Sequence, residues 1–131
     1  MFGLKFSKKK ITEEKGASAV EFAVILPLLI LLIFGIIEFG RMYNAYLALT
    51  HAAREGARLA AVGKFDAAAV ESRAYPLTVS GGLEIIGPSY PEGDDIGDPV
   101  QVVIRFPYNL NVPLWKQASI SLESKAIMRL E

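Results

Sequence analysis

The chain has 131 residues, of which 52% are hydrophobic, and its mean hydropathy of +0.33 is high for one small soluble domain. It contains no cysteine, which excludes disulfides, thiol catalysis and thiolate metal sites. Its formal net charge of zero conceals an asymmetry: residues 1–16 carry five lysines against Glu13 and Glu14, a net of +3, so the rest sums to −3.

The first segment, residues 1–16, is a short polar leader holding Lys5, Lys8, Lys9, Lys10 and Lys15. Lysines this close to an apolar run mark its cytoplasmic side, so the N-terminus is expected in the cytoplasm and the C-terminal bulk outside. The Lys8–Lys10 cluster is therefore assigned to topology, and no nucleic-acid partner is expected.

Phe22–Ile37 follows, sixteen residues without a charge. Extended back to Ala17 it reaches twenty-one residues, interrupted only by Ser18 and Glu21. Such a helix is about 31 Å long, against about 30 Å of bilayer hydrocarbon, and residues 17–37 are expected to span. Pro27 removes one helical hydrogen bond and is expected to kink or loosen the helix. A signal peptide would be cut beyond its apolar stretch, but the residues there, IIEFGRMYN, are bulky and charged. The small pair Gly16-Ala17 lies before it, where cleavage would leave the helix on the mature chain.

Glu21 is the unusual residue, because an ionisable group in a span is costly and is read as functional unless it snorkels to the headgroups. Cleavage after Gly16 would make Ala17 a free α-amine one helical turn from Glu21, on the same face. That amine can neutralise the carboxylate within one chain or between neighbours.

Residues 38–75 read as an extracytoplasmic helical region. Phe39, Tyr43, Tyr46, Leu49, Ala53 and Ala57 form a stripe at three- and four-residue spacing, with Glu38, Arg41, Arg54, Glu55 and Arg58 expected elsewhere. Ala48, Ala52, Gly56 and Ala60 recur every fourth residue, as do Ala53, Ala57 and Ala61. Such small ridges either permit close packing with another helix or fit the helix to its own sheet. Gly63 is the expected stop, and Asp66 is expected to cap a shorter helix through about Arg73.

From Pro76 the period changes to two, and residues 76–131 read as a small antiparallel β domain. Val100, Val102, Ile104, Phe106 and Tyr108 alternate with more polar positions, as do Ile120, Leu122, Ala126, Met128 and Leu130. Leu83–Ile86 is expected to supply a third strand. Three strands cannot stand alone, so the outer half of the long helix must cover their apolar face. The expected class is thus α+β, a long N-terminal helix followed by a small antiparallel sheet.

Catalytic candidates are poor, and no enzyme activity or cofactor is expected. His51 is the sole histidine and has no second ligand at i+4; it reads as a surface or packing residue. Glu92, Asp94, Asp95 and Asp98 offer oxygens of the kind Ca²⁺ takes, Asp94, Asp95 and Asp98 being the weak candidates. They lack EF-hand alternation and suit turns, so no metal is assigned. Trp115 reads as packing. There is no phosphate loop or nucleophile elbow.

The segment Gly16-Ala17-Ser18-Ala19-Val20-Glu21-Phe22 resembles the type IV prepilin motif, a glycine, four variable residues and a glutamate. Its Glu-Phe ending is similar to that of tight-adherence (Flp) pilus proteins. With AVILPLLILLIFGIIEFGRMYNAY and HAAREGARLAA, residues 15–62 resemble the TadE-like pseudopilins, with a TadF-like assignment as the variant; the longer TadG-like proteins fit less well. The resemblance implies cleavage between Gly16 and Ala17 by a membrane-embedded prepilin peptidase. It also implies an inner-membrane, single-pass protein whose partners are other pilins, pseudopilins and inner-membrane pilus assembly proteins. The alternative from the residues is a signal-anchored envelope binding module, in which the helix only tethers the sheet.

Overall fold

The computed structural model describes residues 7–75, 77–111, 113 and 116–131, with side chains from Glu14 onward apart from Val79 and Ser80. Helix α1 runs Ser7–Ala61, 55 residues, and continues past Pro27. It is followed by α2 (Ala67–Arg73), α3 (Leu77–Ser80), β1 (Glu84–Ser89), β2 (Pro99–Leu110) and β3 (Ala118–Arg129). The chain divides into two units, residues 1–37 and 38–131.

In the first unit the described side chains, 14–37, are all exposed. Val24, Leu28 and Phe22 are 74%, 69% and 59% open. A helix apolar on every side satisfies its backbone internally but leaves its side chains in need of lipid or another helix. By length and composition it is able to cross a membrane.

The second unit is a three-stranded antiparallel sheet in the order β1-β2-β3, packed on the C-terminal part of α1. Its core joins Ala45, Leu49, Ala52, Ala53, Ala57 and Ala60 of α1 to Val100, Val102, Ile104 and Phe106 of β2, with Val70 and Leu77 alongside. Three pairings fix how the strands lie. Gly56 stands against Val102, Thr50 against Ser124 (whose register partner is Ile104), and Glu38 against Tyr108. As the α1 number falls the β2 number rises, so β2 runs antiparallel to the helix and brings Tyr108 and Asn111 down to Glu38.

Local chemistry sets the boundaries. Gly63 adopts φ 67, which a side chain would resist, and ends α1 in a Schellman arrangement. Lys64 N–H donates to the Leu59 carbonyl at 2.8 Å and Gly63 N–H to that of Ala60 at 3.0 Å. Asp66 caps α2 by accepting from Ala68 N–H at 3.0 Å. The Glu131 N–H donates to the Ala61 carbonyl at 3.0 Å, tying the chain's end to that of α1.

Four expectations change. The stretch after Pro76 begins with the turn α3, because Leu77 points into the core; the sheet starts only at Glu84. Strand β1 extends to Ser89, its register shifting between Ile86 and Ser89 around the cis Gly87-Pro88 peptide. Val103, which alternates with the inward series and so is expected on the outer face of the sheet, is only 8% exposed because it is flanked by Ile86 on one side and Lys125 on the other. Phe39, Tyr43 and Tyr46 do not share the buried stripe with Leu49 and are 64%, 55% and 44% exposed. The sheet lies instead on the stripe that starts at Glu38 and climbs through Ala45, Leu49, Ala52, Gly56 and Ala60.

Candidate functional site

Gly16, Ala17, Glu21 and Phe22 all lie on α1 and are exposed. A Cβ placed on Gly16 would meet nothing within 4 Å. Any demand for glycine there comes from outside the described fold. Glu21 is likewise exposed among the described residues, so only lipid or another protein can desolvate it. Of the leader lysines, Lys15 is exposed, Lys8, Lys9 and Lys10 lie outside the described side chains, and Lys5 lies outside the described residues.

Among the described residues the carboxylate that the fold buries is Glu38, against its expected place on the polar side. It is 6% exposed and closes the lower end of the core. Its Oε1 accepts from the Tyr108 hydroxyl at 3.1 Å and the Asn111 backbone N–H at 3.2 Å, and its Oε2 faces Arg41 at 3.5 Å. Two donors from the end of β2 thus compensate the desolvation of a carboxylate that follows directly on the apolar run. Burial, then the Glu38 carboxylate, raises the pKa of the Tyr108 hydroxyl above its ordinary value. One signal could have found Glu38: 38, 45, 49, 52, 56 and 60 form one helical stripe, of which Glu38 is the first member.

The small residues of that stripe meet the sheet. Ala52 and Ala60 are buried, Ala48 is half-buried and Gly56 is buried. A Cβ on Gly56 would lie 3.1 Å from Val102 Cγ1 and 3.2 Å from Val70 Cγ2, tighter than ordinary contact. Close approach there serves the chain's own sheet, leaving little of the ridge for another helix.

Residues 16–58 match the family described as TadE-like protein. The match covers about a third of the chain, and comparison with curated proteins and with solved structures returned no match.

The TadE-like segment holds the Gly16–Phe22 stretch, the apolar run, Glu38 and the small stripe as far as Arg58. Its cradle and lining come from outside it, from Val70, Val102, Tyr108 and Asn111. Near its end Arg58 pairs with Glu55 through bonds of 2.8 and 3.1 Å. That pair lowers the pKa of Glu55 and raises that of Arg58, but both groups are solvated and the link is weak.

The remaining candidates lie beyond the TadE-like segment or on its surface. Asp98 serves its own loop, its Oδ2 accepting from Asp95 N–H at 3.2 Å. No group of three or more histidine, cysteine or acidic residues is placed to hold a metal among the described residues, Asp94, Asp95 and Asp98 included. His51 is exposed. Trp115 lies outside the described residues.

Proposed function

We propose that the chain is a TadE-like pseudopilin, a structural or assembly component of a tight-adherence pilus with no catalytic activity of its own. The observation that carries this reading is the family match, which starts at Gly16 and so includes the whole Gly16–Phe22 stretch. The exposed apolar helix supports it, because a side-chain surface with no internal partner suits a bilayer first and neighbouring helices later.

In this reading a prepilin peptidase cuts between Gly16 and Ala17, on the cytoplasmic side of the inner membrane, and releases a mature chain of 115 residues. The new Ala17 amine is cationic and lies one helical turn from Glu21. The two neutralise each other in the low-dielectric interior of the membrane, within one chain or between adjacent ones. The sheet unit stands outside the membrane, held to α1 through Glu38 and the small stripe. Other pilins or pseudopilins and the inner-membrane assembly proteins are the partners.

N-terminal sequencing of the protein from cells with an active prepilin peptidase tests the reading. A mature chain beginning at Ala17 is expected. A chain still beginning at Met1 overturns it.

A further inference from the structure

One side of the second unit carries an open groove of about 1210 Å³, between the outer helix and the segment that follows α2. Its rim carries Arg41, His51 and Arg73, and among the described residues its lining includes no carboxylate. Leu77 and Phe106 give it an apolar floor. Among the described residues Arg73 has no ion-pair partner, while Arg41 reaches Glu38 at only 3.5 Å.

The complementary surface sits at the other end of β2. The loop from Tyr90 to Asp98 carries Glu92, Asp94, Asp95 and Asp98. Among these acids stands Ile96, 86% exposed, with Tyr90 43% exposed. An isoleucine this open inside an acidic loop gains nothing from its own fold. The loop is pinned there, Gly97 N–H donating to the Leu130 carbonyl at 2.9 Å and Leu130 N–H to that of Asp98 at 2.9 Å. Between Asp98 and Phe106 lie about 26 Å of extended strand, so no chain can place this loop in its own groove.

We propose that the groove receives the Tyr90–Asp98 loop of a second copy of this chain. Ile96 seats on the apolar floor, and the acids face Arg73, His51 and Arg41. The contact is heterologous, two different patches on each copy, and repeats in one direction. It keeps every α1 pointing the same way, as copies drawn from one membrane must. The pinned loop is level with Ala61, and the groove centres near Ala48, so the neighbour is shifted along the helix by about 20 Å. Copies at equal depth in one bilayer therefore miss each other, and the contact forms once one of them moves outward.

The test uses full-length chains in detergent micelles, where that shift is unrestricted. The protein lacks cysteine, so Asn44→Cys in the groove and Glu92→Cys in the loop, which leaves Ile96 in place, are unique labels. Mixing the two differently tagged variants with a short bismaleimide should give a mixed adduct well above either homodimer. Adding Arg73→Glu to the groove chain should reduce the mixed adduct about tenfold. Adding Asp94→Lys and Asp95→Lys to the loop chain should then restore it, which also shows that the Arg73→Glu chain is folded. Adducts that ignore both charge changes, or homodimers equal to the mixed species, overturn the proposal. So does Arg73-dependent binding to phosphatidylglycerol vesicles without a mixed adduct, which would assign the groove to lipid. The contact needs no step of maturation, so its failure and a failure of the cleavage at Gly16 are read separately.

Discussion

Replacing Tyr108 by phenylalanine removes one hydroxyl and leaves the ring, isolating a single bond of the Glu38 cradle. That bond, 3.1 Å long, ends on a carboxylate only 6% exposed, whose other close donor is the Asn111 N–H at 3.2 Å. Bonds to charged groups are worth about 1.5–3 kcal/mol, and the partial exposure of Tyr108 argues for the lower end, about 1.5 kcal/mol. Amide exchange of β2 in the full-length chain in micelles reads this as opening about tenfold more frequent. Glu38→Gln combined with Tyr108→Phe should cost less than the two separate losses added together. The pH dependence has a definite sign. The Tyr108 pKa is raised in the folded state, so its contribution is complete below the ordinary tyrosine value of 10.0 and is lost as pH rises through the folded one. The alkaline loss should be smaller in Tyr108→Phe. Unchanged exchange in β2, or additive single effects, would refute the cradle.

Gly56→Val should destabilise the sheet unit by about 2 kcal/mol through overpacking against Val102 and Val70, seen as a lower denaturation midpoint of the full chain. Gly56→Ala should lie near zero, its helix gain of about 1 kcal/mol offset by contacts at 3.1 and 3.2 Å. Gly16→Leu should block maturation and leave a full-length band on a gel, without altering the sheet unit's exchange pattern. Glu21→Ala should leave membrane insertion intact and impair pilus assembly; equal pilus production by variant and parent would end that role.

Periodicity and end signals located α1, the Asp66 cap, the Gly63 stop and the two long strands, because each depends on residues near in sequence. Glu38 escaped because a charge beside aromatic residues reads as the solvated side of a helix. Only the approach of Tyr108 and Asn111, some seventy positions away, makes its burial tolerable. The aromatic stripe misled for a related reason. Phe39, Tyr43 and Tyr46 have the right spacing, but the sheet closes on the narrower stripe, where small side chains let the strands come near.

The sequence by itself determined the apolar helix, the Gly16–Phe22 stretch with Glu21 one helical turn from Ala17, and the α+β class. These follow from local spacing and from the length of helix needed to cross a bilayer. Tertiary structure alone decided which face of α1 meets the sheet, that Glu38 is buried, and that the basic groove and the acidic loop lie at opposite ends of β2. Those facts depend on the direction in which β2 runs along the helix, and that direction is fixed by contacts between residues far apart in the chain.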